Sequence, residues 1–291
     1  MLPITGNPGE RPVPWKGAVM SSSPTVLTPA VIVSRLRAAG CVFAEDEARL
    51  LVEAAPDPSA LATMVRQRVE GLPLEQILGW AEFCGLRIAV APGVFVPRRR
   101  SEFLARQAAD LGRNILDSGE TEELLVLDLC CGSGALGAVV AAELELVQLH
   151  AADIEPAAVE CARRNVERFG GTVYQGDLFD PLPRRLRGTV HVITANVPYV
   201  PSNEIALLPP EAREHEPLRA LDGGTDGLDV LRKVAQEAPV WLAPGGQLLV
   251  ETSERQAPIA SRIFTDAGLL ATTAGCAELG STVLIGSRPA Y

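Results

Sequence analysis

The chain has 291 residues, 47% of them apolar and 21% charged, a balance that suits one large α/β unit with a smaller unit beside it. Its formal net charge of −10 argues against free nucleic acid as the partner, since a protein that grips phosphates unaided carries a basic face. No apolar run reaches the roughly 18–20 residues of a membrane span; six cysteines without a C-x-x-C pair, and three scattered histidines, give no metal-ligand spacing and suit a reducing, cytoplasmic setting.

Residues 1–23 contain several prolines and no apolar core, and read as a disordered tail without a signal peptide. From Thr28 the apolar residues recur at helical spacing, with breaks at Gly40 and at Pro56 and Pro58 and a third helix over Ser59 to Glu70. These short helices form an N-terminal helical unit within 24–80. From Phe83 to Val96 the pattern alternates, which predicts a hairpin turning at Pro92-Gly93 inside a connecting segment, 81–100.

A connecting helix, Ser101 to Leu116, opens the main unit, 101–291, where strand and helix alternate. Strands are expected at Leu124–Leu129, Val147–Asp153, Thr172–Gln175, Val190–Asn196 and Gln247–Glu251. Helices are expected at Gly134–Leu144, Pro156–Phe169, Leu228–Ala238 and Gln256–Ala267. Leu270–Ala274 and Val283–Ile285 fit a closing antiparallel pair. Nearly all-apolar strands between helices mean a mostly parallel sheet covered on both faces. Ligands of such sheets lie beyond the carboxyl ends of the strands.

The first strand ends in Asp128-Leu129-Cys130-Cys131-Gly132-Ser133-Gly134 and a helix follows at once. Glycine lets the backbone approach a ligand, and the helix start offers unpaired N–H groups. Gly132 to Gly137 also spells G-x-G-x-x-G, a dinucleotide signature. Asp128 argues otherwise, being unwelcome beside a pyrophosphate but suited to the cationic methionine part of S-adenosyl-L-methionine. Asp153, followed by Ile154, stands about 20 residues past the loop, where an acid takes ribose hydroxyls. After the third strand, Asp177 can accept from an adenine amino group, and Leu178 or Phe179 can pack on the ring.

The fourth strand ends in Asn196-Val197-Pro198-Tyr199, close to N-P-P-Y. The nitrogen of a planar NH₂ is a poor nucleophile, because its lone pair is delocalised. Two acceptors, the Asn196 side-chain oxygen and the Val197 carbonyl, can hold its two N–H bonds and aim the lone pair at a methyl. Tyr199 supplies a flat wall. Valine in place of proline keeps that carbonyl and gives up only a fixed φ.

Together these residues make the chain resemble the peptide chain release factor N5-glutamine methyltransferase family, over roughly Thr28 to Leu284. Gly71 to Gly79 with Phe83 to Leu86 resembles the family's hairpin entry. Val96-Pro97-Arg98 with Ser101-Glu102 resembles its I-P-R-P-D-T-E, and Glu216 to Leu228 resembles its E-P-x-x-A-L-x-G-G-x-D-G-L. The resemblance implies the class I S-adenosylmethionine-dependent methyltransferase fold, a mostly parallel seven-stranded sheet with helices on both faces and a small N-terminal helical domain, 24–80, that recognises the substrate. It implies the G-G-Q glutamine of a release factor as target, with Pro97, Arg98 and Glu216 joining Asn196 to Tyr199 at the substrate. Three positions depart from the family: Cys130 for its first loop glycine, Val197, and Arg99-Arg100 for its Pro-Asp. The run Arg98 to Arg100 is expected to face the partner. Rival readings are a nucleic-acid amino methyltransferase acting on adenine N6 or guanine N2, a nicotinamide oxidoreductase, and a cofactor-binding relative without activity.

Overall fold

The computed structural model describes residues 27–290, so the expected tail lies outside the described residues. Helices α1 (Pro29–Ala38), α2 (Ala44–Ala54) and α3 (Pro58–Val69) close around Ile32, Leu36, Ala48, Leu51 and Val65. Asp57 caps α3: its carboxylate accepts from the N–H groups of Ser59 and Ala60, and Pro58 pre-sets the first turn. A short α4 (Leu74–Leu78) lies beyond the third helix and ends on Gly79, which takes the left-handed conformation at φ 78°.

Strands β1 (Trp80–Phe83) and β2 (Leu86–Ala89) form an antiparallel hairpin. Its turn is Cys84-Gly85, with φ 49° and 75°, and not the expected Pro92-Gly93. Two-residue hairpin loops need this left-handed pair to match the strand twist. The apolar alternation continues to Val94 and Val96 because both are buried, yet neither belongs to a strand.

The rest runs α5 (Glu102–Ser118), β3 (Leu124–Leu129), α6 (Ala135–Glu143), β4 (Val147–Asp153), α7 (Pro156–Val166), β5 (Thr172–Gln175) and β6 (Val190–Ala195). It continues with the short α8 (Pro210–His215) and α9 (Leu218–Leu221), then α10 (Asp229–Trp241), β7 (Leu242–Thr252), α11 (Ala257–Asp266), β8 (Leu270–Cys276) and β9 (Ser281–Ser287). The seven-stranded sheet has the order β5-β4-β3-β6-β7-β9-β8, and β9 is antiparallel to both β7 and β8. Side chains alternate across β3: Leu125, Leu127 and Leu129 join the core that includes Trp241 of α10, while Leu124 and Val126 join the core under α5 and α6. No helix among the described residues is long and apolar enough to cross a membrane.

Phe179 belongs to the first core, stacked on Trp241 with ring centroids 5.5 Å apart. It is therefore not free to cover an adenine. The chain leaves β3 for β4 and β5 on one side and returns to β6 on the other, so the strand order reverses between β3 and β6. Leu129 pairs with Ala195 there, which sets Cys130 and Asn196 at neighbouring strand ends.

Candidate active site

A cavity of about 910 Å³ opens over that switch point. One end is lined by Cys130 to Ser133, Asp153, Ile154, Asp177 and Leu178, the other by Asn196 to Tyr199, Pro97, Arg98 and Glu216. The structure thus gathers almost every residue singled out in the sequence.

Asp128, Gly134, Phe179 and Arg99 are the exceptions. Asp128 is wholly buried and does not line the cavity. One carboxylate oxygen accepts from the Gly137 N–H in the first turn of α6 and the other from the Thr194 hydroxyl, both at 3.0 Å. Burial pushes its pKa up to about 7 against those two hydrogen bonds. It ties β3, β6 and α6 together from beneath the loop. Gly134 has φ 75°, and a Cβ there would stand 3.0 Å from Val166 and 3.2 Å from Ala162. That glycine serves the packing of the loop against α7.

Gly132 is the glycine of the cavity wall. At φ 54°, a Cβ added to it would meet no protein atom within 4 Å. Its N–H donates to one Asp153 carboxylate oxygen at 2.9 Å, and the Glu155 N–H donates to the other at 2.9 Å. Each oxygen keeps a further lone pair for a hydroxyl donor. Burial is the largest influence on Asp153 and raises its pKa. Cys130 takes φ 51°, a left-handed backbone that suits glycine better and costs a side chain roughly 1–2 kcal/mol. Asn165 was not evident from sequence. Its side chain donates to the carbonyls of Ser133 and Ala89 and accepts from the Ala89 N–H, fastening the hairpin to the loop.

At the other end, the Asn196 side-chain nitrogen donates to the Ser101 hydroxyl at 3.4 Å. That leaves the Asn196 amide oxygen as the acceptor. The Tyr199 hydroxyl donates to Glu251 at 3.2 Å and accepts from Arg100, whose Nε also donates to Glu251 at 2.9 Å. Burial first, and Glu251 second, hold the Tyr199 phenol well above its ordinary pKa, so it stays neutral.

Glu216 is buried and takes Arg98 at 2.7 Å on both oxygens and the Val96 N–H at 3.2 Å. It clasps the segment before α5 and is not an open carboxylate for a substrate. The basic run is therefore divided: Arg98 and Arg100 line the cavity, and Arg99 alone is exposed outside it.

The stretch from Glu216 to Leu228 braces the Asn196–Tyr199 loop. Val200 exchanges backbone hydrogen bonds with the Leu221 carbonyl and the Gly223 N–H, and Gln256 donates to the Tyr199 carbonyl at 3.0 Å. A Cβ on Gly227 would lie 2.3 Å from that carbonyl oxygen, and one on Gly223 would lie 2.7 Å from the Pro198 oxygen. Only glycine permits so close an approach. Ser101, Glu251 and Gln256 carry no local signal of these roles, because each acts across the fold.

Residues 88–206 match the methyltransferase small domain. A release factor glutamine methyltransferase from Geobacter sulfurreducens is 37% identical over 217 residues, covering 73% of this chain and 72% of that protein. A 4-amino-L-phenylalanine/4-methylamino-L-phenylalanine methyltransferase from Streptomyces pristinaespiralis is 36% identical, covering 74% and 73%. Among solved structures, the T. thermophilus 16S rRNA N2 methyltransferase with AdoMet and guanosine aligns at TM-score 0.50 and 20% identity, over 72% of this chain and 49% of that one, a likeness of fold alone.

Proposed function

Because the chain belongs to the release factor glutamine methyltransferase family, we propose that it transfers the methyl of S-adenosylmethionine to the side-chain amide nitrogen of a protein glutamine, that of the G-G-Q loop of a release factor. Its sheet is that of a class I methyltransferase. The observation that carries the reading is Asn196 at the cavity wall, its amide nitrogen on the Ser101 hydroxyl and its amide oxygen without a protein partner among the described residues.

The residues present fit the cofactor. Gly132 would give the close backbone approach, Asp153 keeps lone pairs that would take the ribose hydroxyls, and Asp177 and Leu178, which line the same cavity, would hold the adenine. When bound, S-adenosylmethionine supplies an electrophilic methyl. The Asn196 oxygen and the Val197 carbonyl accept the two N–H bonds of the target amide, which draws density onto its nitrogen. Tyr199, kept neutral, forms the wall against which the planar group lies. Incubating the purified chain with labelled S-adenosylmethionine and a release factor tests the proposal. The label should appear on the G-G-Q glutamine, and no incorporation into the release factor sinks it.

A second reading has one observation in its favour. Arg100 lines the cavity and can receive the carboxylate of a free amino acid, and the Streptomyces relative acts on such a compound. Offering 4-amino-L-phenylalanine in the same assay separates the two.

A further inference from the structure

Arg100 stands where the family's I-P-R-P-D-T-E element has aspartate, a reversal of charge at the cavity. The fold holds it firmly. Its Nε donates to Glu251 at 2.9 Å, and one terminal nitrogen donates to the Tyr199 hydroxyl. Glu251 is 3% exposed, whereas the Arg100 side chain is 46% exposed and lines the cavity beside Tyr199. A guanidinium has five N–H bonds in a fixed fork. Two are used here, so three remain, two on one terminal nitrogen and one on the other. A buried carboxylate thus fixes one edge of a cation that lines the cavity, and the remaining N–H bonds have no partner among the described residues.

We propose that Arg100 is a specificity-determining residue: its free edge takes a carboxylate that the methyl acceptor carries close to the amide or amine being methylated. The inference rests on the methyl-transfer reading above. A planar fork matches a carboxylate with two parallel hydrogen bonds, which a neutral amide cannot return. Ser101, the next residue, holds Asn196, so the anion site and the NH₂ site are set by adjacent positions of one segment. An acceptor that satisfies both is anchored at its acid and presented at its nitrogen.

The test uses the full chain with labelled S-adenosylmethionine and short acceptors that differ in one charge. Gly-Gly-Gln is offered as the free acid and as the C-terminal amide, for a terminal carboxylate. Gly-Gly-Gln-Asp amide is set against Gly-Gly-Gln-Asn amide, for a side-chain carboxylate. The wild-type chain should favour the acidic member of at least one pair by about tenfold or more in kcat/KM, as expected for a charge-assisted pair. Whichever pair responds identifies the source of the carboxylate. In Arg100→Gln the acid-to-neutral ratio should fall toward one, and Arg100→Lys should restore part of it. Because Arg100→Gln leaves Glu251 buried without its cation, the double variant Arg100→Gln/Glu251→Gln is measured beside it, with the same loss of ratio expected.

A residue that only supports Glu251 would lower all rates together and leave the ratio intact. Equal wild-type rates within both pairs, or no methylation of any short acceptor while a release factor is methylated, overturn the Arg100 assignment. No methylation of peptide or release factor sinks the function proposed above instead. A wild-type ratio of one overturns the assignment even if every variant misfolds, and a high ratio is assigned to Arg100, among the cations Arg98, Arg219 and Lys233 that also line the cavity, by its loss in Arg100→Gln and its partial return in Arg100→Lys.

Discussion

The Ser101 hydroxyl accepts the side-chain N–H of Asn196 across 3.4 Å, which ties the segment before α5 to the Asn196–Tyr199 loop. Asn196→Ala is expected to cut kcat by ~10²–10³, the usual cost of one preorganised partner of the transition state. Cofactor affinity should change far less, because the contact strengthens as nitrogen loses conjugation. Ser101→Ala should give a smaller loss of the same kind, Ser101→Thr should keep most activity, and the two losses should not add in the double variant. Near-parental turnover by Asn196→Ala would end the mechanism.

Asp153→Ala removes the acceptor of the Gly132 N–H along with the proposed ribose contact. S-adenosylmethionine affinity should fall by about tenfold or more, the scale of hydrogen bonds to a charged group. Calorimetry reads this, with circular dichroism to show that the variant is folded. Unchanged affinity removes the ribose assignment.

Gly227→Ala places a Cβ on the Tyr199 carbonyl at φ 76°. The Asn196–Tyr199 loop must then shift, by a displacement whose cost in reactions of this kind is on the order of 10²-fold per ångström. The expected outcome is a large drop in kcat with S-adenosylmethionine affinity largely kept, since the cofactor end does not touch Gly227. A variant as active as the parent would show that the brace is dispensable.

Asp128 makes the fold sensitive to pH in an unusual direction. Burial raises its folded pKa to about 7, above the ordinary carboxylate value, so the folded chain holds a proton that the unfolded chain gives up. The contribution is fully present below about pH 4 and is lost as pH rises toward about 7. Asp128→Asn should flatten the dependence of Tm on pH over that window. The same slope in variant and parent would assign the dependence to other groups.

Much of this site could be read from sequence because strand ends are local features. Largely apolar runs marked β3, β4, β6 and the second half of β7, and the loops after β3 and β6 fell at the switch point where a parallel sheet binds ligands. The misplaced readings have one cause. Period-two alternation shows which face a residue takes and not what meets it there. Val94 and Val96 alternate like a strand because both are buried, and Phe179 sits by the adenine loop in sequence yet turns onto Trp241. Asp128 ends its strand like a ligand-facing acid, but the Gly137 N–H and the Thr194 hydroxyl draw it inward. Asn165, Glu251 and Gln256 bridge segments far apart in the chain, so no short window contains both partners.

The contacts among Pro198, Tyr199, Gly223, Gly227 and Gln256 bear on how such an activity can be moved between proteins. Four residues spell the recognisable signature, but their backbone path is a cast taken from a second loop and from the glutamine just before α11. Grafting Asn196 to Tyr199 alone onto another parallel sheet would transplant the letters without the mould. For the same reason the two loops are bound to vary as one unit, a side chain at either glycine being tolerable only in a lineage where the tetrapeptide has already changed its course.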